Sequence, residues 1–254
     1  MKTLARMQTS ILDDLHPVLG TFSTDVFAVG KNGSILHYSG TNWTQISVPI
    51  SHQADFYAIW GTSPSNIYVG GDGKLLHYNG STWEEITNSI PHAIVSIWGT
   101  SPNNLYILDS NGGIYGYDGS SWTVYNDTTS FSNYGGGIKG TSSANIFAVG
   151  SQKEIYHFNG SIWETYPNPS FSWLKALWVA SPNDVYAVGY KGTILHFNGT
   201  SWNEMPALYF TPDADEDSSV DGLDFAYFAS AFGEGKVTGE ELGEFSAAFG
   251  TVSR

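Results

Sequence analysis

The stretch "IWGTSPSNIYVGGDGKLLHYNGSTWEEI", residues 59–86, decides the fold. Four short runs, IWGT, NIYVGG, KLLHY and TWEEI, are rich in β-branched and aromatic residues. A Ser-Pro-Ser turn, a Gly-rich turn and an Asn-Gly turn separate them. Apolar runs of this length between turn residues predict four antiparallel strands, and no helical periodicity competes with them.

The same unit opens five times: "VLGTFSTDVFAVG" from Val18, "IWGTSPSNIYVGG" from Ile59, "IWGTSPNNLYILD" from Ile97, "IKGTSSANIFAVG" from Ile138 and "LWVASPNDVYAVG" from Leu177. Its second residue returns at 19, 60, 98, 139 and 178. Self-similarity at this period marks a propeller or solenoid, and four strands per repeat describe a propeller blade. The expectation is an all-β, five-bladed β-propeller of four-stranded antiparallel blades over residues 16–206, after an N-terminal extension, 1–15. The pairs Ser39-Gly40, Asn79-Gly80, Asp118-Gly119, Asn159-Gly160 and Asn198-Gly199 precede the repeated tryptophans and suit two-residue type I′ hairpins.

On these residues the unit resembles the blade repeat of bacterial secreted β-propellers. It is also similar to the sialidase-type Asp-box repeat and to photosystem assembly-factor propellers. "NGSTW" has one residue fewer than the Asp-box pattern between the turn residue and the tryptophan. The resemblance spans residues 16–206 and implies the fold; one wheel hosts many activities, so it implies no particular function.

His37, His77, His157 and His196 recur on the third strand, where the third unit has Gly116. With strands about 4.8 Å apart, such positions lie roughly 17 Å from a propeller axis, too far apart to share a zinc ion whose ligands stand at about 2 Å. They are expected to be structural, half-buried and bonded between blades. Trp43, Trp83, Trp122, Trp163 and Trp202 are expected to fill the space between blades. Trp60, Trp98 and Trp178 fall on the innermost strand, facing the channel or a neighbouring blade.

Antiparallel topology puts the first-to-second turns and third-to-fourth hairpins, which are nearly uniform, on one face. The second-to-third turns and interblade loops share the other face and vary, which is where a rigid scaffold presents ligand contacts. His52, Asp55, Phe56, His92, Phe131, Tyr134 and Trp173 lie there as candidate ligand-binding residues. Aromatic rings beside Asp and His suit a sugar, which offers C–H patches and hydroxyls. No catalytic residue is assigned. The only arginines are Arg6 and Arg254, outside the wheel, so the arginine cluster that a sialidase needs for its substrate carboxylate is missing. Asp55, Asp72, Asp109, Glu154 and Glu164 supply carboxylates, but sequence spacing does not show a converging pair. No nucleophile elbow, phosphate loop or H-E-x-x-H motif occurs.

After a linker, 207–212, the character changes. In "DADEDSSVDGLDF", Asp213, Asp215, Asp217, Ser219, Asp221 and Asp224 occupy positions 1, 3, 5, 7, 9 and 12 of an EF-hand loop, the spacing that wraps oxygen ligands around Ca²⁺. Val220 supplies the apolar position 8, and "DFAYFASAFG" follows as a short amphipathic helix. Ser218 and Asp224 replace the usual glycine and glutamate of the loop. The segment resembles the dockerin family, in which Asp at position 12 is normal, and residues 213–254 are expected to form a small α-helical, single-Ca²⁺ module. Gly222 and Leu223 stand where cohesin-recognising dockerins place a Ser/Thr pair.

Net charge is -14, with ten acids against Lys236 and Arg254 in residues 207–254. Clustered cations for neutralising phosphates are missing, which disfavours nucleic acid. Cysteine is absent, and no apolar run reaches the roughly 18 residues of a membrane helix. No signal-peptide h-region is visible, although the Asn/Thr/Ser/Gly/Trp/Tyr-rich composition looks like that of a secreted bacterial surface protein. The expected function is an extracellular or cell-surface binding protein. Its wheel takes a glycan or protein ligand, and its Ca²⁺-stabilised tail attaches to a surface or protein partner. The alternatives are a glycoside hydrolase or polysaccharide lyase carried by the same tail, and a fragment of a larger propeller scaffold.

Overall fold

The computed structural model describes residues 14–22, 24–48, 54–126, 136–150 and 154–205. The chain divides into Met1–Met205 and Pro206–Arg254. The candidate calcium loop from Asp213 to Asp224, the expected helical module, and His52, Phe131 and Tyr134 all lie outside the described residues.

Five four-stranded antiparallel sheets succeed one another, each with its strands in chain order. Blade 1 comprises β1 (Leu15–Phe22), β2 (Asp25–Gly30), β3 (Ile35–Tyr38) and β4 (Trp43–Ile46). Blade 2 comprises β5 (Phe56–Ser63), β6 (Asn66–Gly71), β7 (Leu75–Tyr78) and β8 (Trp83–Glu85). Blade 3 comprises β9 (Ile94–Ser101), β10 (Asn104–Asp109), β11 (Ile114–Tyr117) and β12 (Trp122–Asn126). Blade 4 comprises β13 (Gly137–Ser142), β14 (Asn145–Val149), β15 (Glu154–Phe158) and β16 (Trp163–Pro167). Blade 5 comprises β17 (Leu174–Ser181), β18 (Asp184–Gly189), β19 (Ile194–Phe197) and β20 (Trp202–Glu204). The five expected blades are thus present, and β1 starts one residue inside the stretch expected to be an extension.

The first strands pack on one another, β1 on β5, β5 on β9, β9 on β13 and β13 on β17, which makes them the inner strands. Because successive side chains on a strand point to opposite faces, blades 2, 3 and 4 each feed two cores. In blade 3, Leu105 and Ile107 join Ala58, Trp60 and Leu75 of blade 2, while Tyr106 and Leu108 join Ile138, Ile146 and Ala148 of blade 4. Phe27, Val29 and Ile35 meet Phe56, Ile67 and Val69 between blades 1 and 2. Phe147, Val149 and Ile155 meet Leu174, Val185 and Leu195 between blades 4 and 5. This two-sided burial explains why runs such as NLYIL are apolar throughout rather than alternating. Trp83, Trp122, Trp163 and Trp202 belong to these interblade cores, as expected of wedges.

The Asn-Gly hairpins differ from the expected type I′ turn. Tyr78 pairs with Trp83 and Asn79 N–H donates to the Thr82 carbonyl (3.2 Å), so the two residues inside the last backbone bond are Gly80 and Ser81, not Asn79 and Gly80. Gly80 has φ +93°, but Asn79 is not among the positive-φ residues. Instead Asn79 Oδ1 accepts the N–H groups of Ser81 (3.0 Å) and Thr82 (2.9 Å). Asp118, Asn159 and Asn198 accept the same pairs of N–H groups. A short side-chain acceptor thus replaces the second left-handed residue of a type I′ turn. A Cβ on Gly80 would lie 2.7 Å from Ser65 Cβ, so the hairpin rests on the first-to-second turn of its own blade and shares its face, as expected.

Candidate functional site

The repeated histidines are braces within blades. His37 Nε2 donates to Asp25 Oδ1 (2.6 Å), His77 Nε2 to Asn66 Oδ1 (2.7 Å), His157 Nε2 to Asn145 Oδ1 (2.8 Å) and His196 Nε2 to Asp184 Oδ1 (2.8 Å). Each acceptor opens the second strand of the same blade, which corrects the expectation of a bond between blades. The reason is register: Phe27, Tyr68, Phe147 and Tyr186 sit opposite the histidines, and the imidazoles stack on those rings at 4.2–4.4 Å. This stack aims Nε2 along β2, β6, β14 or β18 towards its first residue. Burial holds the His77 and His157 pKa values below the ordinary histidine range, with Glu84 and Glu164 opposing weakly. Among the described residues no three His, Asp or Glu side chains gather as a metal site. A cleft of about 810 Å³ lies beside Asp25, His37, Tyr78 and Trp83 on the uniform face. Its His–Asp bond and Tyr–Trp contact recur in other blades, so its lining is mostly scaffold.

On the variable face, each described second-to-third turn bonds to the entry of its own blade. The N–H groups of Lys31, Asp72, Ser110 and Tyr190 donate to the carbonyls of Asp14, Asp55, Ala93 and Trp173. Asp55 is one of these braces: its Oδ1 accepts Asn32 N–H from blade 1 (2.9 Å) and its N–H donates to Asp72 Oδ2 (3.2 Å). Between the two carboxylates stands the Tyr57 phenol, pushed up to about 12 by burial first and then by Asp72 and Asp55. The cluster holds a neutral hydroxyl against two anionic acceptors at the rim of the inner strand. His92 is tied to its own blade by Asn111 Nδ2, which donates to its Nε2 (3.0 Å). Phe56 requires a correction: it opens β5 and is fully buried in the core between blades 1 and 2, not displayed on a loop. Its apolar neighbours claim it because β5 begins one residue after Asp55. Asp109 likewise accepts Gly113 N–H, Asn111 N–H and the Tyr115 hydroxyl, and so serves its own turn.

Trp173 is where the sequence expected a ligand contact, and it stands with partners that the sequence reading missed. It is 37% exposed and meets Tyr190 edge-on at 5.6 Å, while Lys175 Nζ lies 4.9 Å from the Tyr190 ring centre. Phe171, two residues before it, is 74% exposed. Its φ is +53°, a conformation that costs a non-glycine residue roughly 1–2 kcal/mol. Asn168, almost wholly buried, enforces that shape. Its Nδ2 donates to the Ser172 carbonyl (2.8 Å), and its Oδ1 accepts from Ser170 N–H (3.1 Å) and Oγ (2.8 Å). Residues held in such backbone regions cluster at functional sites, which makes this loop a candidate. Trp173, Tyr190 and Lys175 thus form an aromatic shelf on blade 5, and the exposed Phe171 stands in the loop that leads into it. Asp55 and His92 stand at the entries of blades 2 and 3 and are not part of it. The available signal was Tyr190, an aromatic at the turn position where the sequence of the other blades has Lys31, Asp72, Ser110 and Ser151.

No family model matches the chain, and no curated protein matches it. Solved β-propellers do. The fold is similar to that of YCF48 from Cyanidioschyzon merolae, with TM-score 0.59 and 12% identity over 78% of this chain and 74% of that one. It is similar to the WD40 β-propeller domain of Doa1, with TM-score 0.61 and 12% identity over 74% of this chain and 66% of that one. The WD40 repeats of RRP9 match with TM-score 0.66 and 9% identity over 79% of this chain and 64% of that one. These likenesses establish the β-propeller fold.

Proposed function

We propose that the protein is an extracellular or cell-surface binding protein whose blade 5 shelf takes a glycan. The observation that carries this reading is Phe171, held outward at φ +53° by the buried Asn168 beside exposed Trp173 and Tyr190. Ring faces cover the C–H patches of a sugar, and the Lys175 ammonium and neighbouring loop hydroxyls suit its oxygens. The scaffold beneath is braced by His–Asx bonds and tied turns, so little ordering is left for the moment of binding. In the same reading the tail binds one Ca²⁺ through Asp213, Asp215, Asp217, the Ser219 carbonyl, Asp221 and Asp224, and attaches the wheel to a surface or partner.

A glycan-array screen of the whole chain tests the wheel. Binding to a defined glycan class that Trp173→Ala abolishes supports the proposal. No glycan bound, or equal binding by the variant, rejects it; capture of a protein ligand through the same residues would replace glycan by protein.

A further inference from the structure

Five blades could make five interblade cores by closing into a ring, yet the described residues make four. Packing joins each inner strand to the next, and no comparable packing joins β17 to β1. The two outer faces left over are apolar. On blade 5, Ile194 is 40% exposed, whereas its counterparts Ile35, Leu75, Ile114 and Ile155 are at most 1% exposed. Val188 is exposed where Val29, Leu108 and Val149 are buried, and Trp178 is 61% exposed where Trp60 is at 9%. On blade 1, Val18 is 66% exposed, against 9% or less for Ile97, Ile138 and Leu177. Leu15 is exposed where Phe56, Ile94 and Leu174 are buried.

These faces are the two halves of one repeated junction. Within the chain, the tip of the Trp60 indole stands 3.2 Å from where a Cβ would lie on Gly99 of the next blade, and Trp98 stands 2.8 Å from that place on Gly140. The glycines of β9 and β13 are thus notches for the tryptophan of the blade before. The outer face of blade 5 carries such a tryptophan, Trp178, and that of blade 1 carries such a notch, Gly20, whose Cβ would meet, among the described residues, only Val26 Cγ2 at 3.8 Å.

We infer that a second copy of the chain completes this junction head to tail, with Trp178 of one copy in the Gly20 notch of the next and Val188 and Ile194 against Leu15 and Val18. The contact is heterologous, since different surfaces of the two copies meet. It continues the blade-to-blade interface already made four times, and it is independent of the glycan reading.

The test is light-scattering mass of the whole chain and of two variants that block opposite faces, Gly20→Glu and Trp178→Glu. Wild type is expected above the mass of one chain, each variant alone at the mass of one chain, and an equimolar mixture of the two at the mass of two. In the mixture the intact blade 5 face of Gly20→Glu meets the intact blade 1 face of Trp178→Glu, and no further copy can add. Recovery in the mixture also shows that both variants are folded. A monomeric wild type, a single variant that still associates, or a mixture that stays monomeric overturns the inference.

Discussion

Replacing Phe171 by glycine should leave the fold almost unchanged and weaken ligand binding by about five- to thirtyfold. The left-handed conformation at φ +53° strains a non-glycine residue by roughly 1–2 kcal/mol, which glycine relieves. Glycine loses about 0.5–1 kcal/mol more backbone entropy on folding. Phe171 is 74% exposed, so about a quarter of the 1.5–3 kcal/mol of a fully buried side chain is forfeited, roughly 0.5 kcal/mol. The three contributions nearly cancel, to within about 1 kcal/mol. Bound ligand would instead cover most of the ring, and losing that contact removes about 1–2 kcal/mol of affinity, where 1.4 kcal/mol is a factor of ten. Phe56→Ala supplies the contrast, because Phe56 is fully buried between blades and its truncation costs about 3–5 kcal/mol. Urea denaturation of both variants, with titration of the glycan found on the array, checks the pair. A Phe171→Gly protein destabilised like a core variant, or one that binds as wild type, refutes the assignment of this loop to recognition.

His77→Ala should destabilise by about 2 kcal/mol, from the lost bond to Asn66 and the lost stack on Tyr68. A double-mutant cycle of His77→Ala with Asn66→Ala should show coupling of about 0.5–1.5 kcal/mol; independent effects of the two substitutions would reject the brace. Burial lowers the folded-state pKa of His77 and His157 below 6.5, so between those values the unfolded chain binds more protons than the folded one. Their contribution is therefore complete above pH 6.5 and lost as pH falls towards the folded values; Tm should fall less steeply over that window in the His77→Gln/His157→Gln variant, and an unchanged slope contradicts this. For the tail, Tb³⁺ luminescence should be lost in Asp213→Ala and in Asp217→Ala, and retained signal in both would exclude the calcium loop.

The fold was legible because each repeat carries the same physical demands. A strand buried on both faces must be apolar throughout, and four such strands per period leave a blade as the economical solution. Details that depend on which partner a side chain finds were less legible. Asn79-Gly80 satisfies two turn chemistries, and only the pairing of Tyr78 with Trp83 shows that the asparagine acts through its side chain. Likewise His77 was recognisable as structural from its repetition. Its partner was not, because Asn66 lies eleven residues away and is brought near by register alone.

The shelf on blade 5 shows where repetition stops being informative. Phe56 is the first residue of β5 and Phe171 stands three residues before β17, and hydropathy does not separate them. What separates them is register: the place of Phe56 is taken on β17 by the buried Leu174, while Asn168 closes the preceding loop over Ser170 and Ser172 with Phe171 outside. Phe171 thus stays out, in a strained backbone conformation that packing does not require. The proposed recognition loop rests on that difference, since the strain at Phe171 answers to no packing contact of the kind that holds Phe56.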